Sequence, residues 1–303
     1  MSKTEKFKTG VVCIAGPPNA GKSTLLNAIL GEKVAIVSPK PQTTRFRING
    51  IYTDDTAQIV FVDTPGIHKT KHQLGRYMIQ EIVSAFDNVN IVLLLLDVSQ
   101  MINVLDITKV FDTNIKFIEK SEALKFLILN KIDKIQKEQL LELIAKISEN
   151  YKFDEIIPVS ALKKYNVQEL LKTIKQYLPV GEKKYEDEIL TDLSEEKFVA
   201  ELVREKVINF TRQEIPHSVT CRTINYKVRK NGVIFIEVMI YVEHKSQKGI
   251  IIGEKGSMLK KIGAAARKEL EKNSEKKIYL KLEVKVLENW RYNDAKLKEI
   301  GYE

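Results

Sequence analysis

An apolar run near the start, Val11-Val12-Cys13-Ile14-Ala15, has the length of a buried strand. Beyond it, Thr24-Leu25-Leu26-Asn27-Ala28-Ile29-Leu30 has the spacing of a helix. The alternation continues to about residue 180, predicting strands at 11–15, 58–63, 91–97, 125–130 and 156–159. Helices are predicted near 22–31, 73–86, 115–121, 136–150 and 166–178. Apolar strands separated by amphipathic helices indicate an α/β domain with a mixed, mostly parallel sheet. The pattern stops at Leu178-Pro179-Val180-Gly181. An acidic, weakly periodic stretch follows, then a helix at 195–210 and strands at 217–229 and 233–243, joined by Lys230-Asn231-Gly232. Asn-Gly between β-rich runs signals a hairpin. Two helices then flank Gly253-Glu254-Lys255-Gly256, and a last strand is predicted at 277–287. The chain therefore divides into a domain at 1–180, an acidic linker at 181–196 and an α+β domain at 197–303.

Composition fits this division. A length of 303 residues suits two domains, and 44% apolar with 29% charged residues is a globular balance. The apolar run Ile91–Leu96 is far below the ~18 residues of a membrane span. The charged start, Met1 to Lys8, has no apolar signal core, and Cys13 and Cys221 show no metal-ligand spacing, so a reducing cytoplasm is expected. Net charge is +5 over residues 1–180, −4 over 181–214 and +8 over 215–303. A basic last third points to nucleic acid, an acidic membrane surface, or a plain lysine-rich surface.

The chemistry of the first domain starts at Gly16-Pro17-Pro18-Asn19-Ala20-Gly21-Lys22-Ser23. Two glycines five apart, followed by Lys-Ser between a strand and a helix, let backbone amides wrap a polyphosphate. Gly16, Ala20, Gly21, Lys22, Ser23 and Thr24 would line it, with Lys22 reaching the terminal phosphates and Ser23 holding Mg²⁺. Asp63-Thr64-Pro65-Gly66 follows a strand, where Asp63 would approach Mg²⁺ through water and the Gly66 amide would meet the γ-phosphate. Asn130-Lys131-Ile132-Asp133 selects the base: a carboxylate at Asp133 accepts from N1–H and the 2-amino group of guanine, which adenine lacks. Ser160 and Ala161 would place backbone amides near guanine O6.

These four elements, in this order, match the P-loop GTPases, so the ligand is GTP. Lys40-Pro41-Gln42-Thr43-Thr44-Arg45-Phe46-Arg47 occupies the place of a mobile switch whose hydroxyl completes the Mg²⁺ shell. One of the two threonines is expected in that role and Thr44 is preferred; for Thr43 a turn hydroxyl capping local backbone stands as the other reading. The position after Gly66 is Ile67, which can neither orient nor deprotonate water. Asn19 with the Thr-Thr-Arg switch resembles the potassium-activated GTPases, in which K⁺ sits beside the phosphates. The alternatives are a loop Asn bonding its own backbone, and Arg45 or Arg47 as a finger supplied in cis rather than as switch surface. His68 and His72 are read as switch residues, not as a general base.

In the second domain, a GxxG turn between helices lets a sugar-phosphate backbone approach. Lys248, Ile251, Gly253, Lys255, Gly256 and Lys260 are its candidate RNA contacts, with Glu254 a misfit that would repel phosphate. Tyr226 and Phe235 are read as core residues in preference to stacking aromatics. The arrangement resembles a type II KH domain.

Asn19, Gln42-Thr43-Thr44-Arg45, the acidic linker and the KH-like domain together resemble the Era family of bacterial GTPases. Further matches are Leu190-Thr191-Asp192, Arg204-Glu205-Lys206, Glu214-Ile215-Pro216-His217-Ser218-Val219, Ser246-Gln247-Lys248 and Glu288-Asn289-Trp290-Arg291. Tyr185-Glu186-Asp187 departs from the family, where proline follows the tyrosine. The resemblance implies a monomeric, cytoplasmic GTPase with peripheral contact to the inner membrane, using Mg²⁺ and K⁺. It implies binding of the 3′ end of small-subunit (16S) ribosomal RNA and assistance to 30S subunit maturation, with the linker at Glu186-Asp187-Glu188 shielding the RNA face in the GDP state. The competing reading is a signalling switch whose basic domain binds protein or acidic lipid.

Overall fold

A computed structural model of the chain describes residues 6–67, 72–101, 107–119, 121–212 and 214–302. Two compact units are present, and the boundary between them is not a single cut. The first holds a six-stranded sheet built from β1 (Lys8–Ala15), β2 (Ile48–Thr53), β3 (Ala57–Asp63), β4 (Ile91–Asp97), β5 (Leu124–Asn130) and β6 (Glu155–Pro158). Its order is β2-β3-β1-β4-β5-β6, all neighbours being parallel except β2 against β3. Helices α1 (Lys22–Leu30), α2 (Gln73–Ser84), α3 (Ile107–Ile118), α4 (Lys137–Asn150) and α5 (Val167–Tyr177) complete this part of the chain. One sheet face packs Val12, Ile14 and Leu93 against Leu25 of α1 and Leu170 and Ile174 of α5. The other packs Cys13, Leu94 and Leu127 with Phe111 of α3 and Ile147 of α4. Burial on both faces explains the unbroken apolar reading of β4.

The structure departs from three local expectations. Strand β2 lies outside the expected strands: Asn49 and Gly50 interrupt its β-forming residues Ile48, Ile51, Tyr52 and Thr53, of which Ile48 and Ile51 are buried, and it pairs antiparallel with β3. The helix expected at 115–121 runs instead over 107–118. The acidic stretch expected as a linker remains on the first unit as far as Asp192. The buried Gln58 side chain accepts from the Lys184 and Tyr185 amides at 2.6 and 2.9 Å and donates to the Tyr185 carbonyl at 2.8 Å. Ile51 N–H donates to the Leu190 carbonyl at 2.8 Å, and Thr191 bridges Gly50. Polar ties of this kind leave no hydrophobic period to read.

The second unit contains α6 (Glu195–Phe210), α7 (Ile215–Ser218), β7 (Thr220–Val228), β8 (Ile234–Val242), α8 (Lys245–Ile252), α9 (Ser257–Ser274), β9 (Ile278–Val286) and α10 (Asp294–Glu299). Residues 36–43 and 72–77 also group with it. β7 pairs antiparallel with β8, and β8 parallel with β9. The even-numbered side chains of β8, Ile234 to Val242, meet Leu202 and Val203 of α6, Ile251 of α8 and Ile262 and Ala266 of α9. The expected strand start at 217 is instead α7, because Pro216 at its first turn favours helix initiation. Trp290 is fully buried and its indole N–H donates to the Ser218 carbonyl at 3.0 Å. No helix among the described residues is long and apolar enough to cross a membrane.

Candidate nucleotide site and candidate RNA-binding turn

The phosphate loop runs from the end of β1 into α1, so its amides sit at a helix N-terminus as anion binding requires. Gly16, Asn19 and Gly21 all have positive φ, and Ala20 is buried beneath them. The Lys22 ammonium donates to the Gly16 and Pro17 carbonyls at 3.0 Å each, lying back along the loop. Burial pushes its pKa down to about 8 against the opposing pull of Asp63. Ser23 and Thr24 open α1 directly after it.

Three hard oxygen donors converge beside Lys22. Ser23 Oγ donates to Asp63 Oδ2 at 2.6 Å and lies 2.9 Å from Thr44 Oγ1. The other oxygen of Asp63, Oδ1, is buried without a hydrogen-bond partner. Burial pushes the Asp63 carboxyl up to about 6, countered by Lys22 and by the Ser23 and Thr44 hydroxyls. An orphaned buried carboxylate oxygen beside two hydroxyls fits a site for Mg²⁺, which prefers oxygen ligands. Thr43 is not part of it: its hydroxyl donates to the Lys40 carbonyl at 2.7 Å, the local turn role weighed from the sequence.

Gly66 comes up against the loop from the other side. A Cβ there would lie 2.8 Å from Pro18 Cα and N, so only glycine admits this approach. The Ile67 amide donates to the Gly16 carbonyl at 3.1 Å, and its side chain is buried. Arg45 is also buried, 2% exposed, which corrects its reading as switch surface; Arg47 is exposed. His68 lies outside the described residues, and His72 accepts from the Gly75 amide at 2.9 Å.

The segments at 130–133 and 160–161 are tied to the loop through Asn130. Its Nδ2 donates to the Ala20 carbonyl at 2.8 Å, and its Oδ1 accepts from the Ala161 amide at 3.0 Å. Ser160 Oγ donates to Asp133 Oδ1, fixing a carboxylate that is otherwise open to solvent. Lys131 donates to the Asn19 carbonyl at 2.7 Å and to Asp97 at 2.6 Å. The buried Asp97 was missed from the sequence. Its signal was a lone carboxylate ending a buried parallel strand, as Asp63 does.

In the second unit, the GxxG turn joins α8 to α9 with positive φ at Gly253, Lys255 and Gly256. A Cβ on Gly253 would meet Met258 N at 2.8 Å. Lys255 and Lys260 are exposed and Lys248 is half-buried; Glu254 is exposed as well. Ile251 corrects the expectation of a base-contacting floor: it is fully buried in the core, and Ile250, 46% exposed, is the outward neighbour. Lys261 lies over the Phe210 ring, 4.5 Å from its centroid.

Known proteins resemble this chain over nearly its whole length. The family described as "50S ribosome-binding GTPase" matches residues 11–131, and the KH domain family matches residues 214–291. GTPase Era of Geotalea daltonii is 46% identical over 302 residues, 99% of each chain. GTPase Era of Clostridium kluyveri is 44% identical over 98% of this chain and 99% of its own. The solved structure of an Aquifex aeolicus Era variant bound to GDP and AlF4⁻ shares 39% identity at a TM-score of 0.90, covering 98% of this chain and 99% of that one. A structure of Era with MgGDPNP and nucleotides 1506–1542 of 16S ribosomal RNA gives the same values. A phosphate loop, an Asn-Lys-Ile-Asp element and a GxxG domain in one order, matched end to end by these relatives, place the chain in the Era family of GTPases.

Proposed function

We propose that this chain hydrolyses GTP to GDP and phosphate and uses its nucleotide state to govern binding of the single-stranded 3′ end of small-subunit ribosomal RNA. The observation that carries the nucleotide half is the bridge Ala20–Asn130–Ala161 with Asp133 held by Ser160, which sets an accepting carboxylate at a fixed place beside the phosphate loop. The RNA half rests on the GxxG turn and on the ribosomal RNA bound in the related Era structure.

On nucleotide binding, Lys22 leaves the Gly16 and Pro17 carbonyls for the β- and γ-phosphates, and the loop amides take the remaining oxygens. Ser23, Thr44 and Asp63 would hold Mg²⁺, which when bound neutralises charge on the phosphates. The Gly66 amide senses the γ-phosphate. With Ile67 aliphatic and buried, no side chain at that position orients the attacking water. Stabilisation of the transition state then falls to the loop, where Asn19 would hold K⁺, whose charge would stand in for that of an arginine finger. Water attacks in line, the bond to the β–γ bridging oxygen breaks, and GDP and phosphate leave.

The setting that fits is a monomer in the cytoplasm acting on the 30S subunit during its maturation, with peripheral membrane contact through the basic last third. The test is binding of the 3′ tail of small-subunit ribosomal RNA with GTP analogue, GDP or no nucleotide. Expected is affinity far above that for a scrambled strand at physiological salt, increased by the GTP analogue. Sequence-blind binding that collapses with salt would instead favour a switch whose basic domain meets protein or acidic lipid.

A further inference from the structure

The face of the β7–β8–β9 sheet turned away from the helices carries the odd-numbered side chains of β8. Phe235 on β8 stands beside Tyr279 on β9 in register, their rings stacked with centroids 5.5 Å apart at 13°. The Arg229 guanidinium lies 4.9 Å from the Phe235 centroid and 5.6 Å from that of Tyr279. At the other end of this face the C-terminal segment comes down, with Arg222 bonding the Glu299 carbonyl and Tyr302 bonding Thr220 at 3.0 Å. The aromatic end stays open, with Tyr279 54% exposed.

Charge around the rings is one-sided. Lys227, Arg229 and Lys230 line the hairpin and Lys276 and Lys277 precede β9, all exposed. The carboxylates nearby are Glu237 and Glu283, which share the single Lys281 ammonium, and Glu275 in the turn before β9; the five exposed cations outnumber the negative charge left over. A water-facing aromatic pair under an arginine, ringed by lysines, matches what single-stranded nucleic acid needs: π-faces for bases and cations for the backbone.

We propose that Arg229, Phe235 and Tyr279 form a stacking platform for an unpaired base of RNA, separate from the GxxG turn. This rests on the RNA reading above and extends it. A GxxG turn clamps about four nucleotides; a longer strand has bases to place elsewhere, and this end of the sheet receives them.

The experiment compares wild type, Phe235→Thr/Tyr279→Thr and Gly253→Asp, each in the full chain with GTP analogue. The probes are a four-nucleotide RNA and a strand of about 37 nucleotides from the 3′ region of small-subunit ribosomal RNA, with thermal melting as a fold control. The double threonine variant is expected to lose about ten-fold in affinity for the long strand, the contribution of a stacked base, while keeping its affinity for the short one and its melting temperature. Tyr279→Phe is expected to retain full affinity. Unchanged long-strand affinity, or equal losses on both strands, overturns the platform and leaves the GxxG reading standing. Loss of both strands in Gly253→Asp supports that reading, and a wild type that binds neither RNA removes both.

Discussion

The fully buried guanidinium of Arg204 donates a hydrogen bond to the carbonyl of Thr43, 161 residues earlier in the chain. Thr43 immediately precedes Thr44, whose hydroxyl lies 2.9 Å from that of Ser23. Glu205 adds a second tie by accepting from the Val37 amide at 2.9 Å. The segment 36–43 thus belongs by its contacts to the second unit, while Thr44 groups with the first. Burial works against the Arg204 cation, but the Glu201 carboxylate more than offsets it. Arg204→Leu is expected to lower stability by about 3–5 kcal/mol in urea unfolding, because Glu201 is left buried and unpaired. Arg204→Leu/Glu201→Leu should recover most of that. GTP turnover in this folded double variant is expected to fall several-fold, since Thr43 loses its donor; an unchanged rate would show that the tie does not govern Thr44.

Gly66 lies too close to Pro18 for any side chain. Gly66→Ala is expected to keep GDP affinity within about three-fold and to reduce GTP turnover at least ~100-fold, since the Cβ displaces the loop that must meet the γ-phosphate. Stopped-flow nucleotide binding and single-turnover hydrolysis separate the two effects.

Asp133→Asn exchanges an acceptor pair for one acceptor and one donor. Guanine affinity should fall by ~100-fold or more, and xanthine nucleotides, which present an oxygen in place of the 2-amino group, should bind better than GDP. Retained GTP preference in a competition assay would falsify the guanine assignment.

Asn19→Ala tests the potassium role. Wild-type turnover is expected to be several-fold faster in KCl than in NaCl at equal ionic strength, and the variant should lose that difference without losing GDP affinity. Equal wild-type rates in the two salts would exclude K⁺.

Burial alone would raise the Asp54 carboxyl, but hydrogen bonds from Lys175, Thr56 and Tyr52 hold it well below the usual carboxylate range. A depressed folded-state value adds stability above the unfolded pKa of about 3.9, and that contribution is lost as pH falls toward the folded value. Because Asp54 is 32% exposed, solvent screens the pair, and Asp54→Asn should cost about 1 kcal/mol at pH 7. The gap between variant and wild type should narrow progressively below about pH 4, measured by urea unfolding at pH 7 and pH 3.

Strand positions were legible wherever burial on both faces produced an apolar run, as in β4 and β5, and wherever turn chemistry punctuated it, as at Asn231-Gly232. Strand β2 and the acidic stretch at 182–192 were not, since Asn49-Gly50 breaks the apolar pattern of the first and the second is tied by backbone groups meeting β2 and the distant Gln58 side chain, which leave no period in the sequence. Phe235 shows a third limit. Its apolar identity suggested core, yet the alternation of β8 turns it outward beside Tyr279, and an aromatic residue reads the same on either face.

The sequence by itself determined the phosphate loop, the DTPG and NKID elements and the GxxG turn. Each is a contiguous run whose backbone conformation depends on its own glycines, prolines and polar residues. Only the tertiary structure decided that Thr44 and not Thr43 joins Ser23 and Asp63, that Arg45 and Ile251 are buried, and that Asp97 anchors Lys131. Those outcomes depend on partners tens to hundreds of residues away, and burial and hydrogen bonding are settled by where the chain returns rather than by what lies next along it.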